Sequence, residues 1–230
     1  MLEESVILRT LVAAAIELVD ATAGIAGLLT EGMMVFREYN RDGKAVPVDY
    51  RLKPGEGLCS CISKTPKTYI CNAAEKDPQI LPEMREKFGL YNLVNVPILN
   101  REGGVLGCLE MHNKKDRKPF DAQDVFMLQG LAAGAAVALE NATILKQRDN
   151  AKKELAWQKS YYETLLDEAN VWIEAVDMHG RTVLWNRKAE EISGYQKKDV
   201  IGTLDKWAFL YPDTDERTRL MRLSKQLATT

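Results

Sequence analysis

From Asp121 onward the chain keeps helical periodicity for longer than a small domain needs, and that stretch limits how everything else can be organised. Leu128, Leu131, Ala135, Ala138, Ala142 and Leu145 follow one another at spacings of 3, 4, 3, 4 and 3. A period of 3.5 marks a left-handed coiled coil or a closely paired helix, so these six residues are the expected seam of a homodimer. Part of the same stripe must also pack on the N-terminal helix of its own domain. Asp121 is a good N-cap, and Asp124 sets a second carboxylate at the positive end of the helix. The seam fails at Asp149 and Lys152 and resumes at Leu155, running through Tyr162 to Leu165 or Leu166. The ten-residue step from Leu145 to Leu155 is a seven plus a three, a slip that locally overwinds a coil.

What precedes the long helix changes period twice. Residues 2–22 place Leu2, Ile7, Leu8, Leu11, Val12, Ala15, Ile16 and Val19 on one helical face. Residues 23–30 and 33–40 then read as strands around the Glu31-Gly32 turn, with a further turn at Arg41-Asp42-Gly43-Lys44. Pro54-Gly-Glu-Gly57 leads into a short helix from Leu58 to about Lys64, and residues 68–71 form a short strand. Residues 72–91 hold Pro78, Pro82 and Gly89 among many charges, a long loop with a helical turn or two. Residues 93–99 and 105–112 are two more strands. After Asn170 the pattern restarts: strands at 172–176 and 182–185, a helix capped by Asn186 and stopped by Gly194, another turn of helix at 197–201, and a last helix from Thr214. An antiparallel sheet with helices on its faces, used twice, is an α+β architecture. The expected division is 1–147, a linking helix at 148–169, and 170–230.

Charge excludes some functions. A net charge of −2 gives no basic face for nucleic acid. Glu3 and Glu4 stand where a signal peptide would carry Lys or Arg, and no long apolar run follows, so the chain reads as cytoplasmic without membrane insertion. Four cysteines in a core of this size suit a reducing compartment. No nucleophile–base pair, phosphate-cradling glycine loop or phosphoacceptor histidine motif is present, so the segment is expected to be non-catalytic.

Two stretches carry a family resemblance. Gly55-Glu-Gly-Leu-Cys59, Val96-Pro97-Ile98, Gly107-Cys-Leu-Glu-Met-His-Asn113-Lys114, Phe120-x-x-x-Asp124 and the Ala-rich helix to Glu140-Asn141 resemble a GAF domain. Val176-Asp177-x-x-Gly180, Trp185-Asn186 and Gly194-Tyr195-x-x-x-Asp199-Val200-Ile201-Gly202 resemble the opening half of a PAS domain. The resemblance implies a GAF-type antiparallel sheet with flanking helices, a long connecting helix and a partial PAS-type segment. It implies a sensory module that binds an unidentified small molecule and relays the signal to an output domain outside the segment, such as a histidine kinase.

Candidate contacts in the implied pocket are Cys59, Cys71, Val96, Cys108, Glu110 and His112. Strand alternation puts His112 on one face with Leu106, Cys108 and Glu110, and Val105, Leu109 and Met111 on the other. Asn113, Lys114, Phe120 and Asp124 match four of five positions of a motif associated with cyclic-nucleotide-binding GAF domains, with Val125 where an acid is expected. The plainer role is a structural lock, Lys114 pinning the last strand to the start of the long helix. Haem on His112, or iron–sulfur on Cys59, Cys61, Cys71 and Cys108, is the competing reading, against which Cys-x-Cys spacing and ordinary burial of free cysteine both count. GAF-fold methionine sulfoxide reductases carry a Gly-His-x-x-Cys segment that residues 72–95, with no cysteine and no histidine, lack. No cofactor is named by these residues.

Overall fold

A computed structural model describes residues 2–53, 56, 66–203 and 213–227. Helix α1 (Leu2–Leu18) opens the chain, and it ends earlier than its hydrophobic period suggests. Asp20 adopts a left-handed backbone (φ 53), which stops the helix and turns the chain into β1 (Ala21–Thr30). Glu31 and Gly32 both have positive φ (51 and 78), the twist a two-residue hairpin needs, and they hand β1 to β2 (Met33–Arg41). Asp42 and Gly43 repeat the device into β3 (Lys44–Leu52). Its sequence does not announce this strand, because it is a mostly exposed edge carrying Pro47, a residue that edge strands tolerate.

The expected short helix at 58–64 lies outside the described residues. β4 (Tyr69–Cys71) follows, then a 3-10 turn at Ala74–Lys76 and α2 (Pro82–Phe88), capped by Gly89 at φ 62. β5 (Leu93–Leu99) and β6 (Val105–Lys114) complete an antiparallel sheet of order β3-β2-β1-β6-β5-β4.

Helix α3 (Ala122–Glu168) begins with reciprocal capping. Asp121 Oδ1 accepts from the N–H groups of Gln123 and Asp124, and Asp124 Oδ2 accepts from the N–H of Asp121. The two compact units, Met1–Arg148 and Asp149–Thr230, divide within it. One stretch of α3 is apolar enough, by length and composition, to cross a membrane. In the first unit part of that stretch packs on protein, through Leu128, Ala132, Ala135, Ala136 and Leu139.

The sheet of the first unit is covered on both faces. On one, α1 and α3 pack Leu11, Val12, Ala15, Leu128, Ala132, Ala135 and Leu139 against Val94, Val96, Ile98, Leu109 and Met111. Full burial of one such Leu contributes about 2 kcal/mol. On the other face, Ile25, Met34, Phe36, Tyr39, Cys71, Met84, Phe88, Leu93 and Cys108 form a second core.

The dimer seam expected from the sequence is largely this first core. Leu128, Ala135 and Ala142 are buried, Leu131 packs beside them, Ala138 is half-buried, and only Leu145 is exposed. Small and apolar residues at that period serve contact with the domain's own helix and sheet. Beside Leu145, the exposed large apolar residues of α3 in this unit are Phe126, Val137 and Ile144, which lie off that seam.

In the second unit, β7 (Glu174–Val176) pairs with β8 (Thr182–Trp185), followed by α4 (Arg187–Ser193), α5 (Lys197–Val200) and α6 (Thr214–Leu227). Buried Trp185 meets Trp172 edge-on at 5.0 Å. Asn186 organises this unit: Oδ1 accepts from the N–H groups of Ile173 and Ala189, while Nδ2 donates to the carbonyls of Leu166 and Val171.

Candidate functional site

The face of the sheet turned away from α1 and α3 carries a buried polar row, and two β-bulges decide which side chains reach it. Between the pairs Ile25–Tyr39 and Gly27–Phe36, β2 holds one residue more than β1. The extra residue shifts the alternation, so Met34, Phe36 and Tyr39 share the second core while Glu38 points to α1. A second irregularity lies between Ile98–Gly107 and Leu99–Val105, where β6 holds the extra residue. It corrects the simple alternation read from the sequence: Val105 joins Cys108 on the polar-row face, and Leu106 joins Leu109 and Met111 under the helices. Gly107 sits where β1 passes so close that a Cβ would lie 2.1 Å from the carbonyl oxygen of Gly27. Beyond the bulge, Cys108, Glu110 and His112 share one face, as the alternation expects.

At the centre is His112, with no exposed surface. Its Nδ1 lies 3.2 Å from the Tyr39 hydroxyl and its Nε2 lies 3.2 Å from Glu110 Oε2. The tautomer in which Nε2–H donates to Glu110 and Nδ1 accepts from Tyr39 satisfies all three groups. Phe88 stacks near Tyr39 (4.5 Å between centroids) and His112 (6.0 Å), and Arg41 lies over the Tyr39 ring. Burial pushes the Tyr39 phenol above its ordinary pKa, against the opposing influence of Arg41. With both nitrogens engaged, His112 can bind iron only by giving up one of these bonds.

Next along the row is Asn95, the cross-strand partner of Glu110. It is 1% exposed, and neither its Oδ1 nor its Nδ2 has a hydrogen-bond partner among the described residues. A buried amide with neither atom satisfied among the described residues, beside a buried carboxylate, is an arrangement that a ligand's polar edge completes. Sequence reasoning missed Asn95 and named Val96, one position away. Val96 belongs to the helix-side core and cannot line this face. A polar residue at a strand position flanked by Val94 and Val96 was the available signal.

Cys71 and Cys108 are both buried here. Burial pushes the Cys71 thiol up to about 11, with Asp77 adding to the shift and a hydrogen bond from the Ala73 backbone opposing it. Cys59, the remaining pocket candidate, lies outside the described residues, as does Cys61.

Asn113, Lys114, Phe120 and Asp124 lie together at the far end of β6. Lys114 makes an ion pair with Asp124, both largely buried, and its ammonium sits over Phe120 at 5.7 Å. Asn113 takes a left-handed backbone (φ 58), accepts from the N–H of Tyr91 and donates to the Gly89 carbonyl. Two asparagines not singled out from sequence complete the clamp. Asn72 exchanges two hydrogen bonds with the backbone of Phe120, and Asn92 bridges Lys114 N–H to the Lys118 carbonyl.

Comparison with known proteins fits this geometry. The sequence model of the GAF domain matches residues 2–140, and that of the PAS fold matches residues 160–229, beginning inside α3. Among solved structures, a GAF domain/HD domain protein from Geobacter sulfurreducens is 15% identical with a TM-score of 0.53, covering 61% of this chain and 95% of that one. The GAF-B domain of DevS from Mycobacterium smegmatis is 16% identical with a TM-score of 0.51, covering 63% and 98%. The GAF domain of a two-component sensor histidine kinase from Bacillus halodurans is 16% identical with a TM-score of 0.50, covering 62% and 97%. At these identities the structures establish the fold alone. GAF and PAS segments in one chain make a sensory signalling module, and with its sequence matched over residues 2–140 the chain belongs to the GAF domain family.

Proposed function

We propose that the first unit takes a small molecule against the Asn95–Glu110–His112 face and relays its presence through α3 to an output domain, a histidine kinase, in a cytoplasmic setting. The observation that carries this reading is Asn95, a buried amide with no partner for either atom among the described residues. Such an amide costs about 1–3 kcal/mol where nothing answers it. A ligand presenting a donor and an acceptor on one edge repairs that deficit, with Glu110 Oε1 beside it as a further acceptor. The histidine kinase output rests on the company this fold keeps, one similar structure being the GAF domain of a sensor histidine kinase.

The relay is proposed to act between two copies of the chain. Phe126, Val137 and Ile144 are exposed by 78%, 42% and 60% on α3, with exposed Gly130 and Ala133 at intervening helical positions. The stripe 126, 130, 133, 137, 144 keeps heptad spacing and is distinct from the buried Leu128–Ala142 stripe.

Native mass spectrometry of the purified chain tests the ligand. A retained small molecule that is lost from an Asn95→Leu variant supports the reading. Retention undiminished by that substitution places the molecule elsewhere and sinks it.

A further inference from the structure

A cleft of about 100 Å³ lies between α1 and the outer strands, on the face of the sheet opposite His112. Its apolar floor includes Leu8, Val12 and Val35, and its walls carry opposite charges on different elements. Glu4 stands on the first turn of α1, and Arg37 stands at the β2 bulge. Neither has a hydrogen bond or ion pair with any described residue. Arg9 and Glu38 also line the cleft, but they are committed to each other in a two-point ion pair that ties α1 to β2. Asn40, 8% exposed, completes the lining, and its Oδ1 has no hydrogen-bond partner among the described residues. Nor does its Nδ2 donate to any described residue. An amide can present either end after a half turn, so it can accept from or donate to a bound molecule.

We infer that this cleft is a second ligand site, for a small aliphatic zwitterion of the α-amino acid class. The carboxylate faces Arg37, the ammonium faces Glu4, and a short branched side chain rests on Leu8, Val12 and Val35. The three lining groups that lack partners among the described residues are one cation, one anion and one amide. A simple anion or a simple amine would answer only one of the charges. The volume admits only a few non-hydrogen atoms, which limits the occupant to a small member of the class. The bound molecule would bridge the first turn of α1 to β2, adding to the hold that Arg9 and Glu38 already provide one helical turn away.

The experiment titrates the intact chain with L-valine, and in parallel with isovalerate and isobutylamine, followed by amide NMR shifts and calorimetry. Saturable valine binding is expected, with shifts centred on α1 and β2 and both analogues weaker by about tenfold or more. Arg37→Gln and Glu4→Gln should each weaken valine by about tenfold. Both residues are at the surface, and circular dichroism checks that each variant keeps its fold. Asn95→Leu should leave valine binding unchanged, which separates this site from the one proposed above. The inference is overturned by any of four results: no saturable binding of L-valine up to about 10 mM, analogues that bind equally well, shifts centred on Asn95 and His112, or binding that survives both charge substitutions.

Discussion

Asn95 is held among Val94, Val96 and the strand neighbour Glu110 at 1% exposure, and leaving its amide unanswered costs about 1–3 kcal/mol. Asn95→Leu removes that cost in the empty protein. Urea unfolding should show the variant at least as stable as the parent, with a gain of about 1 kcal/mol. A large loss of stability would show that the amide is satisfied in solution. The thiol of Cys71 gives a pH prediction. Its folded value, raised by burial to about 11, exceeds the ordinary 9.0. Its contribution to stability is therefore intact below about pH 9 and is lost as the pH rises through about 11. Alkylation mapped by mass spectrometry at neutral pH should modify Cys71 and Cys108 only after unfolding. Rapid labelling of Cys71 in the native protein would contradict the burial. At this scale the sequence was legible where chemistry and position coincide, as at Glu110 and His112. It misled at Val96, because the face of a strand residue is set by its register and not by its neighbours' hydrophobicity.

Among the elements, α3 shows how one periodic pattern admits two readings. Leucine and alanine at a period of 3.5 describe a helix with a paired face, but the pattern alone does not say whether the partner is another chain or the helix's own sheet. Here Leu128, Ala135 and Ala142 go to the sheet side, leaving Ile144 exposed. Ile144→Glu should give a monomer by analytical sedimentation with an unaltered circular dichroism spectrum. A parent chain that is already monomeric, or a variant that remains dimeric, would refute the exposed-stripe dimer. The start of α3 depends on Lys114 and Asp124. Breaking a buried ion pair by removing one partner costs about 3–5 kcal/mol, so Lys114→Met should lower the unfolding free energy of the first unit by about 3 kcal/mol. A loss within experimental error would mean that the Asn72 and Asn92 bridges hold this corner unaided. The ion pair was readable from sequence because Lys114 and Asp124 flank a short loop. The asparagines were not, since each bonds to backbone far along the chain.

For the molecule as a whole, the order of helices and strands was legible because turn residues punctuate it: Glu31-Gly32, Asp42-Gly43, Asn186 and Gly194. The edge strand β3 and the bulges were not, since neither leaves a composition signal. Each face of the first unit's sheet has its own core, which predicts independence from the rest. A chain ending at Arg148 should unfold in one cooperative transition at the same urea concentration as that unit does in the intact protein. A shifted midpoint would show that residues beyond Arg148 contribute to it. The bulges have one more consequence. Each works as a frameshift within a strand, after which every residue is read out on the opposite side. Deleting Arg37 would remove the bulge and leave its neighbours where they are: Glu38 would follow Phe36 directly and stay on the Arg9 side, and Tyr39 would stay two places from Phe36 on the His112 side. Homologues related by a single-residue gap at this point should therefore keep the same residues facing the pocket, whereas a gap elsewhere in β2 would exchange the two faces.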